Sequence, residues 1–188
     1  MEQTAIGYRV PAIGIRIGAV VLGAVLVAVA AQISVPLPGT PVPMTLQPMA
    51  VLLVGGLLGP QLGALSMILY LAMGAAGLPV FTPSPLLLPG IGRLFGQTGG
   101  YLLAYPIAAY AVGATVADGR NVRRVACGVL AGLVLIYLGG LAQLAILTGS
   151  ISAAARFGTW PFLLGDLLKL AILVPVLAKL TSTIRARL

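Results

Sequence analysis

Apolar runs separated by proline, glycine and clusters of charge divide the chain into about six segments. They fall at about residues 15–31, 45–58, 61–76, 99–117, 125–148 and 161–180. The second and third, split by Gly59-Pro60, are short. A helix over 45–58 reaches only about 21 Å, against a hydrocarbon core of about 30 Å. These two are either spans flanked by extended chain or the arms of a re-entrant hairpin, and six spans is the preferred reading. Removing both leaves the parity unchanged, so the two termini are expected on one side in either case. Two connections are rich in proline, 34–43 (SVPLPGTPVP) and 77–98, and the second also holds Arg93. Irregular backbone at membrane depth must be buried in protein or line water, so these stretches read equally as shaped lids over a cavity or as plain connectors. A charged turn at 118–124 (DGRNVRR), a short loop with Arg156 and a basic tail at 184–188 (IRARL) complete the pattern. Arg16, the first apolar run and Ala28-Val29-Ala30 also have the outline of a secretory signal. Because the rest of the chain is equally apolar, that run is read as the first span.

Composition makes the membrane reading firm. Of 188 residues, 60% are hydrophobic and 7% are charged, where a soluble domain carries about 25% charge. The 11 Lys and Arg outnumber 3 Asp and Glu, for a net charge of +8. High basicity would suit nucleic acid, but these charges sit at the ends of apolar runs, where they orient a membrane protein. With the N-terminus inside, Arg9, Arg16, Arg120, Arg123, Arg124, Lys179, Arg185 and Arg187 are cytoplasmic. Arg93 and Arg156 then fall in outer loops and Lys169 lies within a helix. This bias places both termini in the cytoplasm and both proline-rich connections outside.

Several chemistries are excluded or weakened. There is no histidine, and a lone cysteine, Cys127, makes no intrachain disulfide and is expected to pack as a small apolar side chain within a membrane helix. No GxxxxGK[ST] is present, so the chain has no P-loop for ATP. The sharpest candidate is GDLLK, in which Asp166 and Lys169 share one helix face at i and i+3. An ionisable pair inside an apolar run is costly, so it marks a functional site unless it is a self-neutralised pair with a snorkelling lysine. Arg93 and Gln97 map to the same outer side. Arg93 serves equally as an interfacial contact to lipid phosphate. Gln47 and Gln143 either line a cavity or pair with a neighbouring helix. Tyr101 and Trp160 stand at the expected outer interface, where aromatic belts form, and are candidates for ligand contact or for the belt. An outward-facing pocket with apolar walls and a few polar groups fits a small-molecule site. Small residues recur at four-residue spacing in the first segment, Ala24 with Ala28 and Ala19 with Gly23, and suit close helix packing within the bundle or against another subunit.

Three blocks carry a resemblance. AQISVPLPGTPVPMTLQPMAVLLVGGLLGPQLGALSMILYLAMGAAGLPVF (31–81), FGQTGGYLLAYPIAA (95–109) and PFLLGDLLKL (161–170) arrive in the order found in the BioY family. That family is the biotin-specific substrate-binding (S) component of energy-coupling-factor (ECF) vitamin transporters. The chain departs from it at Gln97, where the family commonly has proline, and at 82–92 (TPSPLLLPGIG), where it is usually glycine-rich. The resemblance implies an all-α bundle of six transmembrane helices, with residues 1–188 forming a single integral membrane domain of the cytoplasmic membrane. It implies capture of biotin from outside and partnership with a transmembrane coupling (T) subunit and cytoplasmic ATPases. It assigns Asp166 and Lys169 to biotin's polar groups, and Ala24 and Ala28 to subunit docking. No metal or cofactor is expected, since biotin is the transported ligand and ATP belongs to the partners. Besides lipid, a homo-oligomer stays open as a further association.

Two other readings remain beside it. One is an S component or stand-alone carrier for another small vitamin or precursor. The other is a membrane-embedded enzyme, which generally needs several acids or histidines. With Glu2 at the terminus and Asp118 in a turn, only Asp166 is left for that role.

Overall fold

All six apolar runs are helical in the structure, a computed structural model that describes residues 12–84 and 87–188. Glu2 and Arg9 lie outside the described residues. The helices are α1 (Ala12–Gln32), α2 (Gln47–Leu58), α3 (Pro60–Ala75), α4 (Gly92–Phe95), α5 (Gly99–Val116), α6 (Val122–Thr148), α7 (Ile151–Gly158) and α8 (Leu163–Arg185). Local chemistry sets their ends. Pro48 and Pro60 occupy the first turns of α2 and α3, where proline's missing N–H costs nothing. Asn121 caps α6 by accepting from the Arg124 N–H at 3.1 Å. Gly149 ends that helix in the left-handed conformation, at φ 66°.

Two connections hold more structure than their composition suggests. The 34–43 stretch begins with β1 (Ser34–Val35), which pairs antiparallel with β2 (Met44–Thr45) just beyond its end, Ser34 facing Thr45. The loop around Arg156 is the helix α7, capped by the Ser150 hydroxyl, which accepts from the Ala153 N–H at 3.3 Å. The last helix also runs five residues past the expected 180, into the basic tail.

The helices run alternately up and down. At one end, Arg16 Nε at the start of α1 donates to the Leu188 carbonyl at 2.8 Å. Arg185 Nη2 there donates to the carbonyls of Gly56 in α2 and Gly113 in α5, at 2.7 and 2.9 Å. The hairpin, α4 and α7 gather at the opposite end. Glycines let the middle close. A Cβ on Gly55 would overlap the Ala109 backbone, and one on Gly113 would overlap Gly59 and Pro60. Small residues of this kind allow van der Waals packing where lipid removes the hydrophobic drive.

The core lies along α2 and α5, through Val51, Leu52, Ala108, Ala109 and Val112. Leu22, Ile107, Leu138 and Ile172 point outward, as lipid-facing positions do. Cys127 is exposed on α6 and not packed inside, because α6 is only partly enclosed by its neighbours. Among the described residues α1, α5 and α6 are long and apolar enough to cross a membrane, and α7 with α8, bent by 54°, make a fourth span as a broken pair. The 12-residue α2 and 16-residue α3 are shorter.

Candidate ligand-binding site

At the hairpin end the helices part around a cavity of about 60 Å³. Its walls come from elements far apart in sequence: the hairpin, the first turns of α2 and α5, the connection after α3, the middle of α6 and the start of α8. Val42, Leu102, Ile136 and Phe162 make it largely apolar.

Asp166 and Lys169 meet there as a buried ion pair, Nζ to Oδ1 at 2.8 Å. Each is held by a second element. The Tyr137 hydroxyl on α6 donates to Asp166 Oδ2 at 2.6 Å. Lys169 also donates to the Thr45 carbonyl at the end of the hairpin, at 2.8 Å. An ammonium has three N–H donors and a carboxylate about four acceptor sites. Lys169 therefore keeps one donor, and Asp166 two acceptor sites, for a ligand. Isolated charges here would be prohibitive, and pairing is what makes them tolerable.

A second polar group lines the other wall. Gln47 accepts from the Thr82 hydroxyl at 2.8 Å and donates to the Tyr70 hydroxyl. Arg93, on the single turn of α4, is buried, with Nε donating to the Leu88 carbonyl at 2.8 Å. Burial pushes its pKa below the usual arginine value. Its corner is fixed by Gln143 of α6, which donates to the carbonyls of Leu94 and Gly96 at 3.0 and 2.7 Å. Of the two glutamines left open by the sequence, Gln47 lines the cavity and Gln143 pairs with a neighbouring segment.

Two aromatic walls rest on glycines. Tyr101 lies against Gly140, where a Cβ would overlap its ring, and its hydroxyl donates to the Gly158 carbonyl at 2.6 Å. Phe81 lies against Gly74 in the same way and meets Tyr70 edge-on, centroids 5.5 Å apart. These glycines hold the rings against the helices.

Of the expected site residues, the structure brings Asp166, Lys169, Arg93 and Tyr101 to one cavity. Gln97 and Trp160 are not among its lining residues, and Trp160 is 70% exposed because it sits in the turn between α7 and α8, facing outward. At the Ala24–Ala28 stripe, where docking of a partner subunit is expected, the structure shows packing within the chain. Ala24 is fully buried and Ala28 half-buried against the core, since this stripe of α1 faces the chain's own α2 and α3. Leu22, Val25, Leu26 and Val29 carry the outward face of that helix. Tyr137, Tyr105, Thr45 and Thr98 line the cavity without having been singled out. A place far from either end of α6, away from the interfacial belt, is the one signal by which Tyr137 could have been found.

Among the described residues no three of His, Cys, Asp and Glu come together to hold a metal. Apolar helices around a largely apolar cavity with a few buried polar groups at one end are the architecture of a membrane protein with room for a small molecule. The chain belongs to the BioY family, whose model matches residues 9–186. It is 40% identical over 165 residues to the probable biotin transporter BioY of Pyrococcus horikoshii, covering 88% of this chain and 95% of that protein. With the biotin transporter BioY of Thermotoga maritima it shares 36% identity over 147 residues, 78% of this chain and 84% of the relative. A crystal structure of the S-component for biotin from an ECF-type ABC transporter shares the fold, with a TM-score of 0.80 at 22% identity, over 92% of this chain and 94% of that one. The protein is thus a multi-pass membrane protein of a transporter family and not an enzyme.

Proposed function

We propose that this chain captures biotin in the hairpin-end cavity and takes it up as the substrate-binding component of an ECF-type transporter. The observation that carries the reading is the Asp166–Lys169 pair, held by Tyr137 and Thr45 and retaining spare hydrogen-bonding sites inside apolar walls. Biotin has a ureido ring with two N–H donors and a carbonyl, an apolar bicycle, and a carboxylate on an aliphatic tail. Asp166 accepts from ureido N–H, and Lys169 donates to the ureido carbonyl. The aliphatic parts lie along Tyr101 and its neighbours. Arg93 takes the carboxylate, because Lys169 is already neutralised by Asp166. Charge-assisted hydrogen bonds in a water-poor pocket are strong and directional.

In this reading the chain is one domain crossing the cytoplasmic membrane six times, with α2 and α3 as short spans and both termini inside. Among the described residues the seven-to-two excess of basic residues toward the end that holds the C-terminus and the start of α1 supports that orientation. Uptake against a gradient needs energy. Lacking a P-loop, the chain would draw it from a transmembrane coupling subunit and ATPases. The test is titration calorimetry of biotin, and separately of other vitamins, into the detergent-purified chain. Tight one-to-one binding of biotin alone is the expected result. Tight binding of another vitamin in its place would overturn the substrate, and binding of none by folded protein would overturn capture.

A further inference from the structure

Nearly every polar side chain that lines the cavity already has a partner within the protein. Asp166 has Tyr137 and Lys169, Gln47 has Thr82 and Tyr70, and Tyr101 has Gly158. Thr98 does not. Its Oγ1 is buried and without a hydrogen-bond partner, although the residue lines the cavity. Thr98 stands at the N-cap of α5, where a threonine ordinarily accepts from an N–H of the first turn. Here the backbone is helical, at φ −104° and ψ −4°, and no capping bond forms. A hydroxyl kept dry and unpaired is costly; Thr159 Oγ1 is unpaired too, but Thr98 lines the cavity, where a ligand would supply the missing partner.

We infer that the Thr98 hydroxyl is a substrate-binding group that donates to the carboxylate of the captured molecule, an inference that rests on the biotin reading. Charge places the carboxylate there. Asp166, which would repel it, belongs to the α6–α8 side and is held by Tyr137. Thr98 enters from the α4–α5 corner, five residues from Arg93, and Gln143 fixes that corner through Leu94 and Gly96. The ion pairs among the described residues are Arg120 with Asp118 and Lys169 with Asp166, so Arg93 is a cavity cation unmatched by an acid there. The corner thus offers a carboxylate one charge and one neutral donor.

The test compares biotin with an analogue carrying methyl in place of the carboxyl group, titrated into wild type, Thr98→Val, Thr98→Ala and Thr98→Ser, with melting in detergent reporting the fold. Loss of one hydrogen bond to a charged acceptor predicts that Thr98→Val and Thr98→Ala weaken biotin at least about tenfold while changing the analogue less than about twofold. Thr98→Ser, which keeps the hydroxyl, should bind both ligands as wild type does. Unchanged biotin affinity in both hydroxyl-less variants overturns the inference, as does an equal loss on both ligands. Wild-type protein that binds the analogue but discriminates against biotin also overturns it. Binding of neither ligand by wild type refutes the biotin reading itself, and this contact with it.

Discussion

The two ends of the bundle use polar groups in opposite ways. At the terminal end, Arg185 spends its charge inside the protein, on the carbonyls of Gly56 and Gly113, and glycine contacts close the helices around it. At the hairpin end, Asp166 and Lys169 are paired but not saturated, Thr98 is unpaired, and the helices stand apart around a cavity. A bundle can be sealed with small residues and a cation at helix C-termini, where the backbone dipoles favour positive charge. Spare hydrogen-bonding capacity is the opposite choice. It lowers stability unless a ligand uses it; Arg185 Nε is also unpaired at the terminal end, but at the hairpin end the spare capacity lines a cavity, where a ligand can reach it.

The largest expected effect comes from splitting the ion pair. Lys169→Ala leaves Asp166 buried against Tyr137 alone and should cost about 3–5 kcal/mol, read as a lower melting temperature in detergent. Replacing both charges, Asp166→Leu with Lys169→Met, should recover most of that stability while abolishing biotin binding. Recovery of both properties would make the pair a packing device. At the other end, Arg185→Ala removes two charge-assisted hydrogen bonds and should cost about 3 kcal/mol. Its biotin affinity should stay within about twofold of wild type, and a larger loss would mean that the two ends are not independent. Gly140→Ala pushes a methyl group into the Tyr101 ring. It should cost about 1–3 kcal/mol through overpacking and weaken biotin by displacing that wall. Smallest of all is Trp160→Ala, whose exposed ring predicts a change in affinity below about twofold, measured by the same titration.

The hydrophobic pattern made the six long elements legible because apolar runs bounded by Pro, Gly and charge have few alternatives in a bilayer. Asp166, Lys169 and Arg93 were legible because charge inside an apolar chain is conspicuous. Tyr137, Thr98 and Thr45 were not, since a tyrosine or threonine in such a run looks like packing until its partner, 29 residues away for Tyr137 and Asp166, is brought beside it. The Ala24–Ala28 spacing showed that a close helix contact exists but not with whom. The structure places that contact inside the chain, against the neighbours of α1. Helix α7 had a readable start in Ser150, but a charged arginine amid small residues resembled a loop.

Biotin titration into Asp166→Asn beside wild type tests the central claim most directly, because asparagine keeps the shape, removes the charge and offers fewer acceptor sites. The account predicts one-to-one binding by wild type and a loss of at least tenfold in the variant, about 1.4 kcal/mol, with the protein still folded. Equal affinity in the two proteins would contradict it and move the site away from the pair.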